Sequence, residues 1–263
     1  MNNTHKSRFL SGFRFKQFTV RQDRCPMKVG TDGVLLGAWA AVRPQDRRML
    51  DIGTGTGLIA LMLAQRAPEA HVTGVDIDDV GQARENAAAS PWSGRVAFAQ
   101  CPVQEFETPE PFDLIVSNPP FFVDSLTCPD RGRTAARHAV HLPFGDLRDA
   151  VLRLLAPGGR FAVILPTAEA ERFLAVCAGR LALVRTTPRR PAKRALMEFV
   201  RAASPADRPA DPPADCSADR PADCSADCSA AVPEVSELVV GTGEHECYTP
   251  EYRALTRDFY LKF

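Results

Sequence analysis

Two short runs in this 263-residue chain hold side chains whose types and spacing fit chemistry better than architecture. The first is Asp51-Ile52-Gly53-Thr54-Gly55-Thr56-Gly57, a carboxylate followed by three alternating glycines. Glycines at such a place let the backbone turn tightly and approach a ligand without side-chain obstruction. The second runs from Asp113 to Phe121 as DLIVSNPPF, an apolar strand that ends in Asn118, Pro119 and Pro120. The two prolines fix the local backbone and remove two donors, so the corner presents the Asn118 side-chain oxygen and a proline carbonyl as acceptors. An exocyclic amine or an amide carries two N–H donors that match them. Binding both draws the nitrogen toward tetrahedral geometry and frees its lone pair for attack. Phe121 is placed to stack on the planar group that bears the nitrogen, and a base in folded RNA would have to be flipped out to reach it.

The glycine loop admits two readings. A dinucleotide fingerprint is G-x-G-x-x-G/A, and here the third position of that pattern is Leu58. An acid at Asp51 also sits poorly beside a pyrophosphate, because like charges repel. It suits the ammonium of S-adenosylmethionine. Asp76 ends the next strand, 19 residues beyond Gly57; a carboxylate there can accept both ribose hydroxyls of an adenosine cofactor. Together the two runs point to methyl transfer onto nitrogen. No strong general base is needed, since the methylated nitrogen becomes acidic and sheds its proton afterwards, so catalysis rests on positioning and preorganised electrostatics.

The elements that must hold these residues alternate along the chain. Strand-like runs at 49–52, 71–77, 96–101, 112–117 and 160–165 are separated by helical runs at 58–66, 80–89, 146–155 and 168–180. Such alternation predicts a parallel sheet covered on both faces. The runs 181–186, 196–200 and 238–240 lack long intervening helices and predict antiparallel closure of the sheet edge. Two functional segments are expected: 1–45 as a basic, cofactor-closing element, and 46–263 as the catalytic domain.

Between Pro205 and Cys228 the chain is six tandem tetrapeptides of the type PADR or SADC. Their prolines each cost a helical hydrogen bond and there is little apolar material to bury, so about 203–234 is expected to be a disordered insert. Cys216, Cys224 and Cys228 lie in it without C-x-x-C spacing, and no metal site is expected. The eight cysteines show no framework spacing, and the start of the chain carries no apolar signal run. Reduced thiols, a cytoplasmic address and no membrane span are the expectation.

The formal net charge of zero hides a split: 203–234 carries −5 and the rest +5. Cations concentrate in two stretches, one with Arg14, Lys16 and Lys28 and one with Arg189, Arg190, Lys193 and Arg194. Such patches suit a polyanion, and RNA is the expected partner of a monomer or weak dimer.

The segments FKQFTVRQDRCPMKVGTDGVLLGAWA (15–40), MLDIGTGTG (49–57), FDLIVSNPPFF (112–122) and YTPEYRALTRDFYLKF (248–263) together resemble the bacterial tRNA1(Val) adenine-37 N6-methyltransferases. The resemblance spans nearly the whole chain apart from the repeat insert. It implies a Rossmann-like, seven-stranded mixed sheet of the class I methyltransferases, and methylation of an adenine N6 in a tRNA anticodon loop. It further implies that Asp51, Gly53, Gly55 and Gly57 hold the cofactor, with Asp76 on its ribose, while Asn118, Pro119 and Phe121 hold the adenine. Lys28, Thr31 and Asp32 would close over the cofactor from the N-terminal side; Thr31 or Asp32 fits equally as the cap of the helix beyond them. One departure is the run Gln100-Cys101-Pro102-Val103, which lacks the acid such enzymes often place against the cofactor's adenine amine.

Three rivals share parts of the pattern. A protein-glutamine methyltransferase uses the same Asn-Pro-Pro corner on an amide. A non-catalytic RNA-binding module could keep the fold, although Asn118 and the intact glycine loop argue against it. A nicotinamide oxidoreductase is disfavoured by Leu58.

Overall fold

The computed structural model of the chain describes residues 12–25, 27–120, 142–174, 179–201 and 234–262. Strand β3 (Arg48–Ile52) has nearly every side chain buried, as a central strand covered on both faces must. It leads through the glycine loop into α2 (Leu58–Arg66), then β4 (His71–Asp76), α3 (Gly81–Ala88), β5 (Val96–Gln100) and β6 (Phe112–Ser117). Helix α4 (Phe144–Leu154) buries Leu147, Ala150, Val151 and Leu154, one stripe at helical spacing. Strand β7 (Leu155–Pro166), α5 (Thr167–Leu174), β8 (Gly179–Arg185), β9 (Arg194–Val200), β10 (Glu234–Val239) and α6 (Pro250–Thr256) complete the domain. Before them come a two-stranded hairpin, β1 (Gly12–Arg14) with β2 (Thr19–Arg21), and helix α1 (Thr31–Trp39).

The large sheet has the order β10-β8-β9-β7-β6-β3-β4-β5. From β3 the chain winds outward to β4 and β5, then returns to the other side of β3 as β6. The strand order therefore reverses between β3 and β6, and in open α/β sheets the crevice outside the carboxyl ends at such a point is where ligands bind. One core lies between the sheet and α1, α2 and residues around 13–20 and 252–259, and includes Phe15, Leu35, Leu61, Tyr252 and Phe259. The other lies under α4 and α5, with Leu147, Phe161 and Phe173. Segment 15–40 thus shares its core with the catalytic sheet. Helices α1 and α2 lie close together: a Cβ on Gly37 would meet the Met62 sulfur at 2.8 Å.

The α/β reading holds, with three differences in detail. The sheet has eight strands where seven were expected. Antiparallel closure is correct for β9, which opposes both β7 and β8, but β10 runs parallel to β8. A parallel neighbour requires a long connection, and residues 202–233 intervene. Strand β7 begins at Leu155 instead of 160, because Leu155 already pairs with Phe112 and the run APGG is taken up as a register shift before Arg160 meets Leu114. Gly158 takes positive φ while its N–H donates to the Arg201 carbonyl, and Arg201 N–H returns a bond to the Gly159 carbonyl. The repeat insert up to Pro233 and the cysteines within it lie outside the described residues.

Candidate active site

The carboxyl ends of β3, β4 and β6 bring the candidate residues to one edge. Ile52 stands opposite Val75 on one side and Ser117 on the other, so Gly53, Asp76 and Asn118 emerge side by side from adjacent strands about 4.8 Å apart. Gly53, Gly55 and Gly57 all have positive φ, at 73°, 52° and 80°. That backbone is the reason for the alternation of glycines in the sequence. A Cβ at Gly53 or Gly55 would meet nothing within 4 Å, so these two border open space. At Gly57 the cause is packing, since a Cβ would stand 2.9 Å from the Phe98 ring.

Asp51 is fully buried at the root of the loop. One carboxylate oxygen accepts from the Thr54 hydroxyl at 2.7 Å and from Ala60 N–H at 3.2 Å. The other, Oδ1, has no partner among the described residues. Burial pushes the Asp51 carboxyl up to about 7, against which the Thr54 and Ala60 hydrogen bonds pull it down. An unpartnered buried carboxylate oxygen is costly and is expected to be completed by a donor from outside. An ammonium group supplies both the donor and the missing charge.

Asp76 closes the next side of the edge. Its Oδ2 accepts from Gly55 N–H at 2.8 Å and its Oδ1 from Asp78 N–H at 3.0 Å. Each oxygen keeps a further lone pair for a hydroxyl. Burial raises its pKa, opposed by those backbone bonds. On the β6 side, the Ser117 hydroxyl donates to the Ile52 carbonyl at 2.9 Å and locks the two strand ends together. Next to it the Asn118 Oδ1 is buried and, like Asp51 Oδ1, unpartnered among the described residues. Pro119 is buried, and Phe121 lies outside the described residues.

Segment 28–32 reaches the same edge at the start of α1. Gly30 is the N-cap, in extended conformation and without a side-chain cap. Thr31 and Asp32 are already helical, so the capping alternative for either residue is set aside. The Asp32 carboxylate instead accepts from Arg194 Nε at 2.8 Å, which joins a residue expected at the cofactor to one expected at RNA. Lys28 and Thr31 are exposed.

The second basic stretch forms the turn between β8 and β9. Arg194 opposes Pro166, beyond the Val163–Ser117 pairing, so this turn projects from the same sheet edge as Asn118. Arg189, Arg190 and Lys193 are exposed on it. Of the first stretch, Arg14 is exposed on β1, whereas the Lys16 ammonium is engaged by the Arg257 carbonyl. Thr54 and Ser117, which brace Asp51 and the β3 end, carry no signal in the sequence. A hydroxyl in a glycine loop and one at a strand end carry no sign of which oxygen they serve. Among the described residues no group of three acids, histidines or cysteines could hold a metal, and no helix is long and apolar enough to cross a membrane.

Residues 45–197 match a family model described as a methyltransferase domain. A protein of Bacteroides thetaiotaomicron, named tRNA1(Val) (adenine(37)-N6)-methyltransferase, is 42% identical over 95% of this chain and 97% of its own length. A Phocaeicola vulgatus protein of the same name is 45% identical over the same shares. An Aeromonas hydrophila protein so named is 54% identical over 64% of this chain and 72% of its own. A solved structure from Agrobacterium tumefaciens, described as a predicted O-methyltransferase, shares the fold at a TM-score of 0.57. It is 18% identical and covers 86% of this chain and 96% of its own.

Proposed function

The chain belongs to the tRNA1(Val) (adenine(37)-N6)-methyltransferase family, and we propose that it transfers a methyl group from S-adenosylmethionine to N6 of adenine 37 in the anticodon loop of a valine tRNA. The observation that carries this reading is the buried Asn118 Oδ1, without a partner among the described residues, at the strand end beside the glycine loop. The loop fits the cofactor on two counts: open space at Gly53 and Gly55, and the unpartnered Asp51 Oδ1 for an ammonium. When bound, S-adenosylmethionine would supply an electrophilic methyl on a sulfonium, whose breaking C–S bond leaves its electron pair on sulfur as a neutral thioether, S-adenosylhomocysteine.

The chain's own residues do the rest. Asp51 takes the ammonium and Asp76 the ribose hydroxyls, while Gly53 and Gly55 let the backbone approach. Asn118 Oδ1 and the Pro119 carbonyl accept the two N–H groups of the adenine amine. That pair of bonds withdraws the nitrogen lone pair from the ring and aims it at the methyl. Phe121 stacks on the flipped base, a role taken from the family resemblance. After transfer the nitrogen is acidic and gives its extra proton to water. Segment 1–45 acts as the closing element, with Lys28 and Thr31 at the mouth. Arg14, Arg189, Arg190 and Lys193 hold phosphates around it, with Lys16 and Arg194 beside them. A tRNA substrate carries with it a cytoplasmic address.

The test is incubation with methyl-labelled S-adenosylmethionine and total tRNA, with mapping of the labelled nucleotide. Label is expected on N6 of adenine 37 of valine tRNA. Asn118→Ala should lower kcat by about 10²–10³, the usual cost of losing one preorganised hydrogen-bonding group, with cofactor affinity by calorimetry unchanged. Label in protein glutamine instead of tRNA, or full turnover by the variant, would overturn the proposal.

A further inference from the structure

Residues 22–25 and 27–30 belong to no helix or strand, yet they lie beside the cofactor edge. Something must satisfy their backbone and fix their place. Helix α3 supplies two buried amides for this, Gln82 and Asn86, exposed by only 1% and 2%. At a spacing of four they share one helical face. The Gln82 Oε1 accepts from both Arg24 N–H and Cys25 N–H at 3.1 Å, and its Nε2 donates to Asp23 at 2.7 Å. The Asn86 Oδ1 accepts from Arg21 N–H at 2.9 Å. Its Nδ2 donates to the Arg21 carbonyl at 3.0 Å and to the Thr56 carbonyl, within the glycine loop, at 2.9 Å. Further along, the Gln22 side chain closes the segment on itself by accepting from Val29 N–H at 2.7 Å.

We infer that Gln82 and Asn86 are positioning residues that hang segment 21–25 from α3 and register it against the glycine loop, so that the cofactor cleft is preformed on its N-terminal side. Three features favour this over packing alone. Asn86 takes both backbone groups of Arg21 at the end of β2, and Gln82 takes the N–H groups of Arg24 and Cys25, which belong to no helix or strand. Asn86 serves that segment and the cofactor loop with a single NH2 group. The segment also lies within electrostatic reach of the ribose acid, because Asp76 and Asp79 add to burial in raising the Cys25 thiol pKa.

The inference rests on the cofactor reading of this site, and the experiment separates the two. Gln82→Met keeps side-chain length and removes both hydrogen-bonding groups. Gln82→Glu restores an acceptor for Arg24 and Cys25 but turns the donor contact with Asp23 into a repulsion, which a paired Asp23→Asn relieves. In Asn86→Asp the two donor contacts become repulsions with the Arg21 and Thr56 carbonyls, and this variant covers the case in which Gln82→Met does not fold. The readouts on the full chain are the Kd for S-adenosylmethionine by calorimetry, KM for tRNA, kcat at saturation, and the alkylation rate of Cys25 by peptide mass with and without cofactor. Gln82→Met and Asn86→Asp should raise that Kd about tenfold, the equivalent of one to two backbone hydrogen bonds, with tRNA KM and kcat within about twofold. Cys25 should alkylate faster in both, and Gln82→Glu combined with Asp23→Asn should recover most of the loss. An unchanged Kd in folded variants would overturn the inference and leave the proposed function standing. So would equal loss in Kd, tRNA KM and kcat with a lowered Tm. Wild-type protein that binds no S-adenosylmethionine would overturn both.

Discussion

The two edges of the central sheet treat buried charge in opposite ways. At the amino edge, Asp46 and Arg160 are 3% and 2% exposed and satisfy each other. Asp46 also accepts from Arg43 N–H at 2.7 Å, and Arg160 donates twice to the Ala41 carbonyl. Asp113, at the same edge, accepts from Arg47 N–H and Arg48 N–H at 2.8 and 3.0 Å. At the carboxyl edge, Asp51 is buried as deeply with no cation paired to it among the described residues, and there the Asn118 Oδ1 likewise has no partner. One edge is finished by the fold, and the other is the edge at which the proposed ligands would complete the open acceptors. A buried acid therefore reads as structure or as site according to what neutralises it.

The contrast breaks most visibly in stability. Arg160→Met would leave Asp46 charged and buried without its partner, at a cost of about 3–5 kcal/mol. Denaturant midpoints measure it, and the folded fraction should bind S-adenosylmethionine normally. A weakened cofactor affinity in that variant would mean that the two edges are not independent.

Asp51→Asn is expected to do the reverse. The amide oxygen can keep the Thr54 and Ala60 bonds, while NH2 replaces the unpartnered oxygen and faces the ammonium. Cofactor affinity should fall about tenfold or more, the scale of a hydrogen bond to a charged group. The unliganded variant should be no less stable than wild type near pH 8. The sign comes from the raised carboxyl. A folded pKa of about 7 lies above the ordinary value of 3.8, so the unliganded fold binds this proton more tightly than the unfolded chain. Its contribution to stability falls as pH rises through that window. Cofactor affinity should behave oppositely, weakening by up to about tenfold per unit as pH drops below 7, because the ammonium requires the carboxylate. An affinity flat from pH 6 to 8 would remove Asp51 from the ammonium site.

How much of this was legible from residues alone tracks the same divide. Alternating glycines and an Asn-Pro-Pro corner are local signals, and both landed on one edge because strand ends carry them. Strand β10 lay beyond pairwise reasoning, since its direction depends on where a long connection returns the chain. Gln82 and Asn86 were invisible for a different reason. In GQARENAA two amides look like part of a solvated helix face, whereas in the fold they are buried and bonded to the backbone of Arg21, Arg24, Cys25 and Thr56. The Asp32–Arg194 pair was hidden likewise, because sequence places its halves 162 positions apart.

The smallest expected effect concerns the polyanion and asks whether binding too is confined to one edge. Arg189, Arg190 and Lys193 project from the carboxyl edge, while Arg43 is exposed at the amino edge. If the tRNA approaches only the unfinished edge, replacing the three turn cations by Ala should raise tRNA KM on the order of tenfold near physiological salt. It should also flatten log K against log[salt] by about 0.7 for each phosphate that is no longer neutralised. Arg43→Ala should change neither, since a cation that meets no phosphate releases no counterion. Equal losses from the two variants would mean that the positive charge acts as a diffuse field over the whole surface. Loss from the turn alone would fix the side on which the anticodon loop enters.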